Sequence, residues 1–506
     1  MWLNTEQKNR SLKIMTRILL IQPPFQPNHF FKKGFFSAGK QAPLFPFGIG
    51  YIASFLKKRG YQIEVLDIYA NQFTQEQVIE KINNIDFDFV GISALVTQYK
   101  YVKWLSKTLK ERKTVPIFVG NGLGTHSDRL VLEKIPSVDI CVRGEGETTV
   151  YEIIQSWPDL TNIKGITYRG KDGVLNINTE REVCQDIDKL PIPAYELFNM
   201  ELYINTKIYD TGIFNIRSKY INKRILPMLT SRGCPYNCNF CGKVLSGVRL
   251  RNISNIVDEI QFLKEKYSID GIHFIDELVV SNKKRATEMS NALKPLNIFW
   301  DCQARVNTVD QETLEIMKNS GCVAIGFGIE SGSQKILDAM NKKITIEQIK
   351  SAMRAAKNVD IDVKVQLIFG YPGESIDTLN DTLLLFKEMK NPGRTFSFIC
   401  PLPGTKLYKS AIRSGLIDDE EEFIYKITDG FDNNVPIINF TNFEFNELIP
   451  LMKKYTNDLE NNYLFYLLHD PRELVKLVKK FGIVPIKYIL VKLIYKEFLK
   501  KSNSIS

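Results

Sequence analysis

Apolar and polar positions along the 506-residue chain fall into two patterns, short continuous apolar runs and longer segments with helical spacing. "RILLIQ" at 17–22, ended by Pro23-Pro24, predicts a buried strand. "FGIGYIASFLKKRG" reads as a helix closed by Gly60. Further strands are predicted at "YQIEVLDIY", "FDFVGISAL", "VPIFVGNG" and "VDICVRG", with helices at 75–84, 98–112 and 127–134. This alternation points to a doubly wound parallel sheet, a flavodoxin-like layered sandwich. Ligands of such sheets sit beyond the carboxyl ends of the strands. Those ends are the 23–47 loop, "SALVT", "GNGLGTH" and "RGEGE".

The pattern changes over 160–222. "GITYRGKDGVLNINTERE" predicts a β-hairpin turning at Lys171-Asp172-Gly173, and "DKLPIPAYELF" is Pro-broken and extended. From Arg224 the alternation returns, with strands at "RILPMLTS", "DGIHFID", "IFWDCQA", "CVAIGFGIE", "IDVKVQLIFG" and "RTFSFIC". Helices are predicted at 254–267, 283–294, 310–319, 333–358 (broken) and 375–389. Six βα repeats are too few to close an eight-stranded barrel, so an open, partial barrel is expected. Beyond about 420 the pattern is helical. The division is a tail over 1–16, an α/β domain over 17–159, a connector over 160–222, a second α/β domain over 223–425 and a helical basic region over 426–506.

Composition adds bounds. With 44% hydrophobic and 25% charged residues the chain is of globular type. The start carries no apolar run, so no signal peptide is expected, and no apolar stretch reaches the roughly 18 residues of a membrane span. Of the net charge of +10, +6 falls between Asp470 and Ser506, where Lys492, Lys496 and Lys500 recur on one helical face. The remainder is near neutral, which argues against nucleic acid as a partner. Packing on the body, an anionic membrane surface and a partner protein remain open for the basic end. Cys141, Cys184, Cys302, Cys322 and Cys400 are scattered and read as reduced, buried residues in a cytoplasmic protein.

The other three cysteines are clustered. "TSRGCPYNCNFCGK" places Cys234, Cys238 and Cys241 within eight positions. Structural zinc needs four ligands; no second Cys pair is near, and none of His29, His126, His273 and His469 is close in sequence. Thiolates are the ligands of iron–sulfur clusters, and three of them leave one iron of four open to a substrate or cofactor.

This loop, after the first strand of a sixfold βα repeat, resembles the radical S-adenosyl-L-methionine (SAM) enzymes. "HFIDELVVSN", "QARVNTVDQETLEIMKNSGC", "IGFGIESGSQKILDAMNK", "IFGYPGES" and "PLPGTKLY" follow in family-like order. Residues 17–155 resemble a cobalamin (B12)-binding domain, and "DKLPIPAYELF" the connector between two such domains. The implied fold is α/β: an N-terminal flavodoxin-like (Rossmann-like) cobalamin-binding domain, a partial (βα)6 TIM-like radical SAM barrel and a helical C-terminal region.

The resemblance implies a 4Fe-4S cluster on Cys234, Cys238 and Cys241. For SAM it implies contacts from Phe240, Asp276, Glu277, Glu330, Ser331, Gly370 and Gly373. For cobalamin it implies contacts from Ser93, Thr97, Gly120, Gly122, Gly144 and Glu145. The Asp-x-His-x-x-Gly motif that supplies a lower cobalt ligand in some cobalamin proteins is absent. The implied reaction is reductive cleavage of SAM to a 5′-deoxyadenosyl radical, hydrogen abstraction from an unactivated carbon, and methyl transfer from methylcobalamin. A second SAM would remethylate the cobalt. An oxidative cyclase or ring-contraction enzyme with the same cofactors, and a non-catalytic cobalamin or Fe-S sensor, are the competing readings. Implied partners are a small-molecule or natural-product substrate and an electron donor such as flavodoxin or ferredoxin. Peripheral membrane contact through the basic end is a further expectation. Cys400, at the sixth strand end, is a candidate for the pocket.

Overall fold

The computed structural model describes residues 16–24, 43–204, 223–245, 247–391, 396–430 and 434–481, with 483, 486, 487, 489 and 490. Most of the 23–47 loop with His29, and Lys492, Lys496 and Lys500, lie outside the described residues.

The strands β1 (Arg17–Gln22), β2 (Gln62–Asp67), β3 (Phe89–Ser93), β4 (Ile117–Gly120) and β5 (Ile140–Val142) form a parallel sheet in the order β2-β1-β3-β4-β5. The hairpin β6 (Ile166–Arg169) and β7 (Leu175–Ile177) adds antiparallel to β5. Sequence reading assigned this hairpin to the connector. Its pairing is with a strand more than 20 positions earlier, which local periodicity does not report. β8 (Ile225–Met228) opens a second sheet. β9 (Ser231–Arg232) and β10 (Arg249–Leu250) pair as a small antiparallel ribbon. β11 (Gly271–Phe274), β12 (Phe299–Ala304), β13 (Cys322–Glu330), β14 (Asp362–Phe369) and β15 (Phe396–Phe398) complete the second sheet, which is all parallel and open, in the order β15-β14-β13-β12-β11-β8.

Two compact units emerge. The first holds the described residues within Met1–Thr206, Leu229–Ser268 and Cys400–Asp432; the second holds those within Lys207–Met228, Ile269–Ile399 and Asn433–Ser506. The cysteine loop therefore packs with the first sheet, whereas sequence reading placed it in one continuous barrel segment. Hydrogen bonds explain the grouping. Asp188 of the connector accepts from the Asn252 amide at 2.8 Å, so a carboxylate meets the N-terminus of the helix Ile253–Tyr267. The buried Tyr195 hydroxyl donates to Glu259 Oε1 at 2.5 Å, and Arg251 pairs with the same carboxylate at 2.6 Å.

The first sheet is buried as its apolar strands predict. Ile18, Leu19, Leu20 and Ile21 are all within 2% of full burial. Helix α1 (Phe47–Lys57) follows β1, and α2 (Gln75–Asn84) starts at a capping box in which Thr74 and Gln77 exchange hydrogen bonds. Helix α3 (Tyr99–Arg112) follows β3, and α4 (Asn121–His126) and α5 (Asp128–Lys134) follow β4. Helix α6 (Gly146–Ser156) follows β5 and packs beside α1. In the second unit the predicted 333–358 helix is broken into Gln334–Ala339 and Ile346–Val359. The C-terminal helix Leu448–His469 packs on Ile376–Glu388.

Candidate functional site

A cavity of about 260 Å³ opens in the first unit between the sheet and the helices α1 and α6. Leu20, Ile92, Phe118 and Val142 give it an apolar floor. Glycines let a ligand come close to the backbone. A Cβ on Gly120 would meet nothing nearer than Val142 at 3.9 Å, so the space above it belongs to the cavity. Gly144 has φ +74°, a conformation that favours glycine.

Of the residues the resemblance implied for cobalamin, Ser93, Gly120, Gly144 and Glu145 line this cavity, with Asn121 between them. Gly122 and Thr97 do not. Gly122 turns toward Leu95. Thr97 lies in a short turn with its hydroxyl buried and without a hydrogen-bond partner among the described residues. A glycine-floored apolar slot rimmed by Ser93 and Asn121 suits a ligand with an apolar edge and polar substituents, and cobalamin is of that kind.

Glu145 differs most from expectation. Its carboxylate accepts from Arg232 Nη1 at 2.7 Å, from Arg249 Nη1 at 2.8 and 2.9 Å and from the Cys184 amide at 2.7 Å. Burial opposes its ionisation, but the Arg232 guanidinium and its other donors prevail and hold the carboxyl below the ordinary range. Its side chain belongs to an ion-pair cluster, and only its place in the wall is shared with the expected role.

The cysteine loop hangs from the ribbon β9–β10. Cys234 and Cys238 are half-buried, Cys241 is exposed, and none of the three forms a disulfide. Among the described residues no three His, Cys, Asp or Glu side chains converge where a single metal ion could sit. Cluster ligation requires no such convergence, because each thiolate binds a different iron. Three cysteines on one loop, none of them in a disulfide, therefore fit a cluster with one open iron. Lys243, which sequence reading passed over, braces the loop. Its ammonium donates to the carbonyls of Cys234 (3.1 Å) and Tyr236 (2.7 Å) and to Asn237 Oδ1 (2.9 Å). Phe240 lies on this loop, and the neighbouring Asn239 carbonyl accepts from the Leu407 amide at 3.0 Å, tying it to the "PLPGT" segment. His126 lies under Gly404, where a Cβ would come within 2.4 Å of its ring; burial lowers its imidazole pKa. Burial also pushes the Cys400 thiol up to about 12, which favours its protonated form.

The remaining candidates lie in the second unit at the carboxyl ends of its strands. Asp276 is buried and Glu277 exposed, which separates two residues that sequence could not. Glu330 ends β13 in a left-handed conformation (φ +65°), a rare state for a residue with a side chain. Its carboxylate pairs with Lys342 Nζ at 2.6 Å, both groups buried. Ser331 accepts from the Ser333 amide at 3.1 Å. Gly370 and Gly373 have φ of +84° and +86°, so backbone conformation demands glycine at both. The buried Glu374, unmarked in sequence reading, accepts from the Gly370 amide at 2.6 Å, and burial pushes its carboxyl up to about 8.

One face of the second sheet is unusual. Strand register sets His273 beside Asp301, Asp301 beside Ala324, and Gln303 beside Gly326, which in turn adjoins Lys364. Gly328 adjoins Gln366. Gln303 and Gln366 are exposed although they sit mid-strand in a parallel sheet, where both faces are normally covered. Polar side chains close over the small residues of β13: a Cβ on Gly328 would lie 2.5 Å from Glu330 Oε1 and 2.9 Å from Lys342 Nζ. His273 Nδ1 is held by the Asp301 carboxylate. Cys302 and Cys322 are buried in the same sheet, side by side.

Comparison with known proteins follows these two regions. Residues 41–154 match the B12 binding domain and 228–386 the Radical SAM superfamily. An uncharacterized methyltransferase of Pyrococcus horikoshii, PH0819, is 29% identical over 452 residues, covering 88% of this chain and 92% of that protein. The anaerobic magnesium-protoporphyrin IX monomethyl ester cyclase of Rubrivivax gelatinosus is 26% identical over 407 residues, covering 78% and 69%. The solved structure of the radical SAM methyltransferase TsrM of Kitasatospora setae, with cobalamin and a 4Fe-4S cluster bound, superposes with a TM-score of 0.63 at 17% identity, covering 79% of this chain and 78% of that one.

Proposed function

We propose that this chain, whose residues 228–386 match the Radical SAM superfamily and 41–154 the B12 binding domain, is a radical SAM enzyme that uses a 4Fe-4S cluster, SAM and cobalamin to methylate an unactivated carbon of a small polar molecule. The observation that carries the proposal is that the cysteine loop supplies part of the cavity wall: Val244 and Leu245, just after Cys241, line it together with Gly120 and Gly144. When bound, the cluster with SAM supplies a carbon-centred radical for hydrogen abstraction and the cobalamin supplies a methyl group.

The chain's own residues would then divide the work. Cys234, Cys238 and Cys241 hold the cluster, and Lys243 keeps their backbone in a fixed curve. Gly120, Gly144 and Ser93 form the floor that lets cobalamin approach the strand ends, with the Thr97 hydroxyl as a buried donor or acceptor. At the strand ends of the second unit Asp276, Glu277, Ser331, Gly370 and Gly373 are the groups for SAM, the buried Asp276 being the better acceptor for an ammonium group; on the cysteine loop of the first unit Phe240 is the residue the resemblance assigns to SAM. Glu330 acts there through its Lys342 pair. Gln303, Gln366, Lys364 and the His273–Asp301 pair present hydrogen-bonding groups to the substrate, which favours a polar molecule. A flavodoxin or ferredoxin would deliver the electron.

Anaerobic enzyme with cluster, cobalamin, SAM and reductant, incubated with cell extract, tests this. Expected are 5′-deoxyadenosine, S-adenosylhomocysteine and a product heavier by one methyl, with two SAM consumed per product. A product lighter by two hydrogens, without S-adenosylhomocysteine, would instead establish the cyclase reading that the Rubrivivax relative favours. Cys234→Ala should abolish 5′-deoxyadenosine formation.

No described helix is long and apolar enough to cross a membrane. Peripheral contact is supported by the exposed Phe465, Leu468, Val475, Ile483, Ile486 and Leu490, interleaved with Arg472, Lys476, Lys479 and Lys487. Co-sedimentation with anionic vesicles, lost on truncation at 470, is the expected result.

A further inference from the structure

The roots of the cysteine loop carry an arrangement that neither cofactor explains. In the ribbon β9–β10, Arg232 and Arg249 stand directly opposite each other. Like charges in that position repel and weaken a two-stranded ribbon. Arg249 is buried and Arg232 mostly so, with side chains 7% and 14% exposed. Burying two facing guanidiniums requires carboxylates with good geometry.

The carboxylates come from the cavity wall. Arg232 spans two of them, Nη1 to Glu145 Oε1 at 2.7 Å and Nη2 to Glu147 Oε1 at 2.6 Å. Arg249 Nη1 reaches Glu145 at 2.8 Å and the Cys184 carbonyl at 2.8 Å. The Arg232 guanidinium also lies over the Tyr51 ring, 4.7 Å from its centroid. Arg232, Glu145, Glu147 and Tyr51 all line the cavity. Gly233 follows Arg232 with φ +79°, and a Cβ there would lie 2.5 Å from the Gly247 carbonyl, so the two roots close tightly on each other.

A ligand in the cavity therefore presses on groups that hold both ends of the cysteine loop, and also on Val244 and Leu245 within the loop's span. We propose that the Arg232–Glu145–Glu147–Arg249 clamp makes cobalamin binding and cluster binding thermodynamically linked, with Arg232 as the positioning residue that carries the linkage. This rests on the two-cofactor reading above and goes beyond it. Linkage is reciprocal: if the cluster tightens cobalamin, cobalamin stabilises the cluster by the same factor. Whichever cofactor binds first organises the wall that the other uses.

The test uses the full-length chain and hydroxocobalamin, with the dissociation constant read from the cobalamin absorbance. Protein carrying the cluster should bind at least about 5-fold tighter than protein stripped of it by a chelator. Loss of the cluster absorbance to chelator should slow on adding cobalamin. In Arg232→Met the affinity ratio should fall toward one while the cluster still assembles; Arg232→Lys should restore only part of it, because an ammonium cannot bridge two carboxylates in a plane. If Arg232→Met does not fold by circular dichroism, Glu147→Gln, which removes one of the two bridges, should halve the logarithm of the ratio. Equal cobalamin affinity with and without the cluster in the wild type would overturn the linkage, and an unchanged ratio in Glu147→Gln and Arg232→Met would overturn the role of the clamp. Failure of cobalamin to bind either form would instead defeat the two-cofactor reading.

Discussion

The two parallel sheets are built from the same βα repeat and differ in what their faces meet. The strands β1, β3, β4 and β5 of the first are continuous apolar runs, almost wholly buried, and the ligand space is a slot opened by glycines. Strand β14 of the second, "DVKVQLIF", is mixed instead, with Val365 and Leu367 buried and Gln366 exposed. The first sheet is thus limited by volume, because close-packed interiors tolerate little added bulk. The second is limited by polarity, at its open face and at the buried groups of its strand ends. An apolar slot and a polar sheet face offer a ligand different things, one a shape to fill and the other hydrogen bonds to satisfy.

The largest effect should come from polarity at a strand end. Glu374 has its carboxyl pushed up to about 8 by burial, against an ordinary value near 4.3. Below the ordinary carboxylate range both folded and unfolded chains hold the proton and nothing is lost. As pH rises from about 5 to 8 the unfolded chain ionises while the folded one does not, so stability falls, and the loss is complete above about 8. Glu374→Gln removes the titration, and its side-chain oxygen can still accept from Gly370. The variant should exceed the wild type at pH 8 by a few kcal/mol, at about 1.4 kcal/mol per pH unit. Denaturant unfolding at pH 5 and pH 8 reads the difference; parallel behaviour of the two proteins would contradict it.

Volume comes next. A Cβ on Gly91 would sit 2.3 Å from the Phe118 ring and 2.9 Å from Leu20. Gly91→Ala should destabilise the chain by about 1–3 kcal/mol and weaken cobalamin binding as the ring moves into the slot. Thermal unfolding and cobalamin titration report both, and an unchanged melting temperature would show that the first sheet has slack. The smallest stability effect is expected on the open face. Gln366→Leu should leave stability within about 0.5 kcal/mol while lowering product formation. A loss of stability comparable to that of Gly91→Ala would erase the distinction between the sheets.

Legibility followed the same division. Strand β13 was read with both ends correct, because its apolar run is bounded by Gly321 before and Ser331 after. The cysteine loop was legible because ligand spacing is a local property. Lys243, Arg232 and Glu374 are not singled out by sequence, since a charged residue in a loop reads as solvated. Glu145 is assigned as a ligand contact by resemblance, because "RGEGE" closes the domain as in its relatives, and the arginines that take its carboxylate lie 87 and 104 positions away.

Order, type and approximate length of the elements, the open six-stranded sheet and the thiolate count all follow from periodicity and spacing along the chain. These signals are local, and each residue carries its part wherever the rest folds. Which carboxylate neutralises which guanidinium, which segment walls the slot, and which mid-strand glutamines meet water depend on contacts between segments far apart in sequence. Burial then sets the chemistry. It makes Glu374 a weak acid, keeps Cys400 a thiol, and turns Arg232 from a surface charge into the bolt of the cysteine loop.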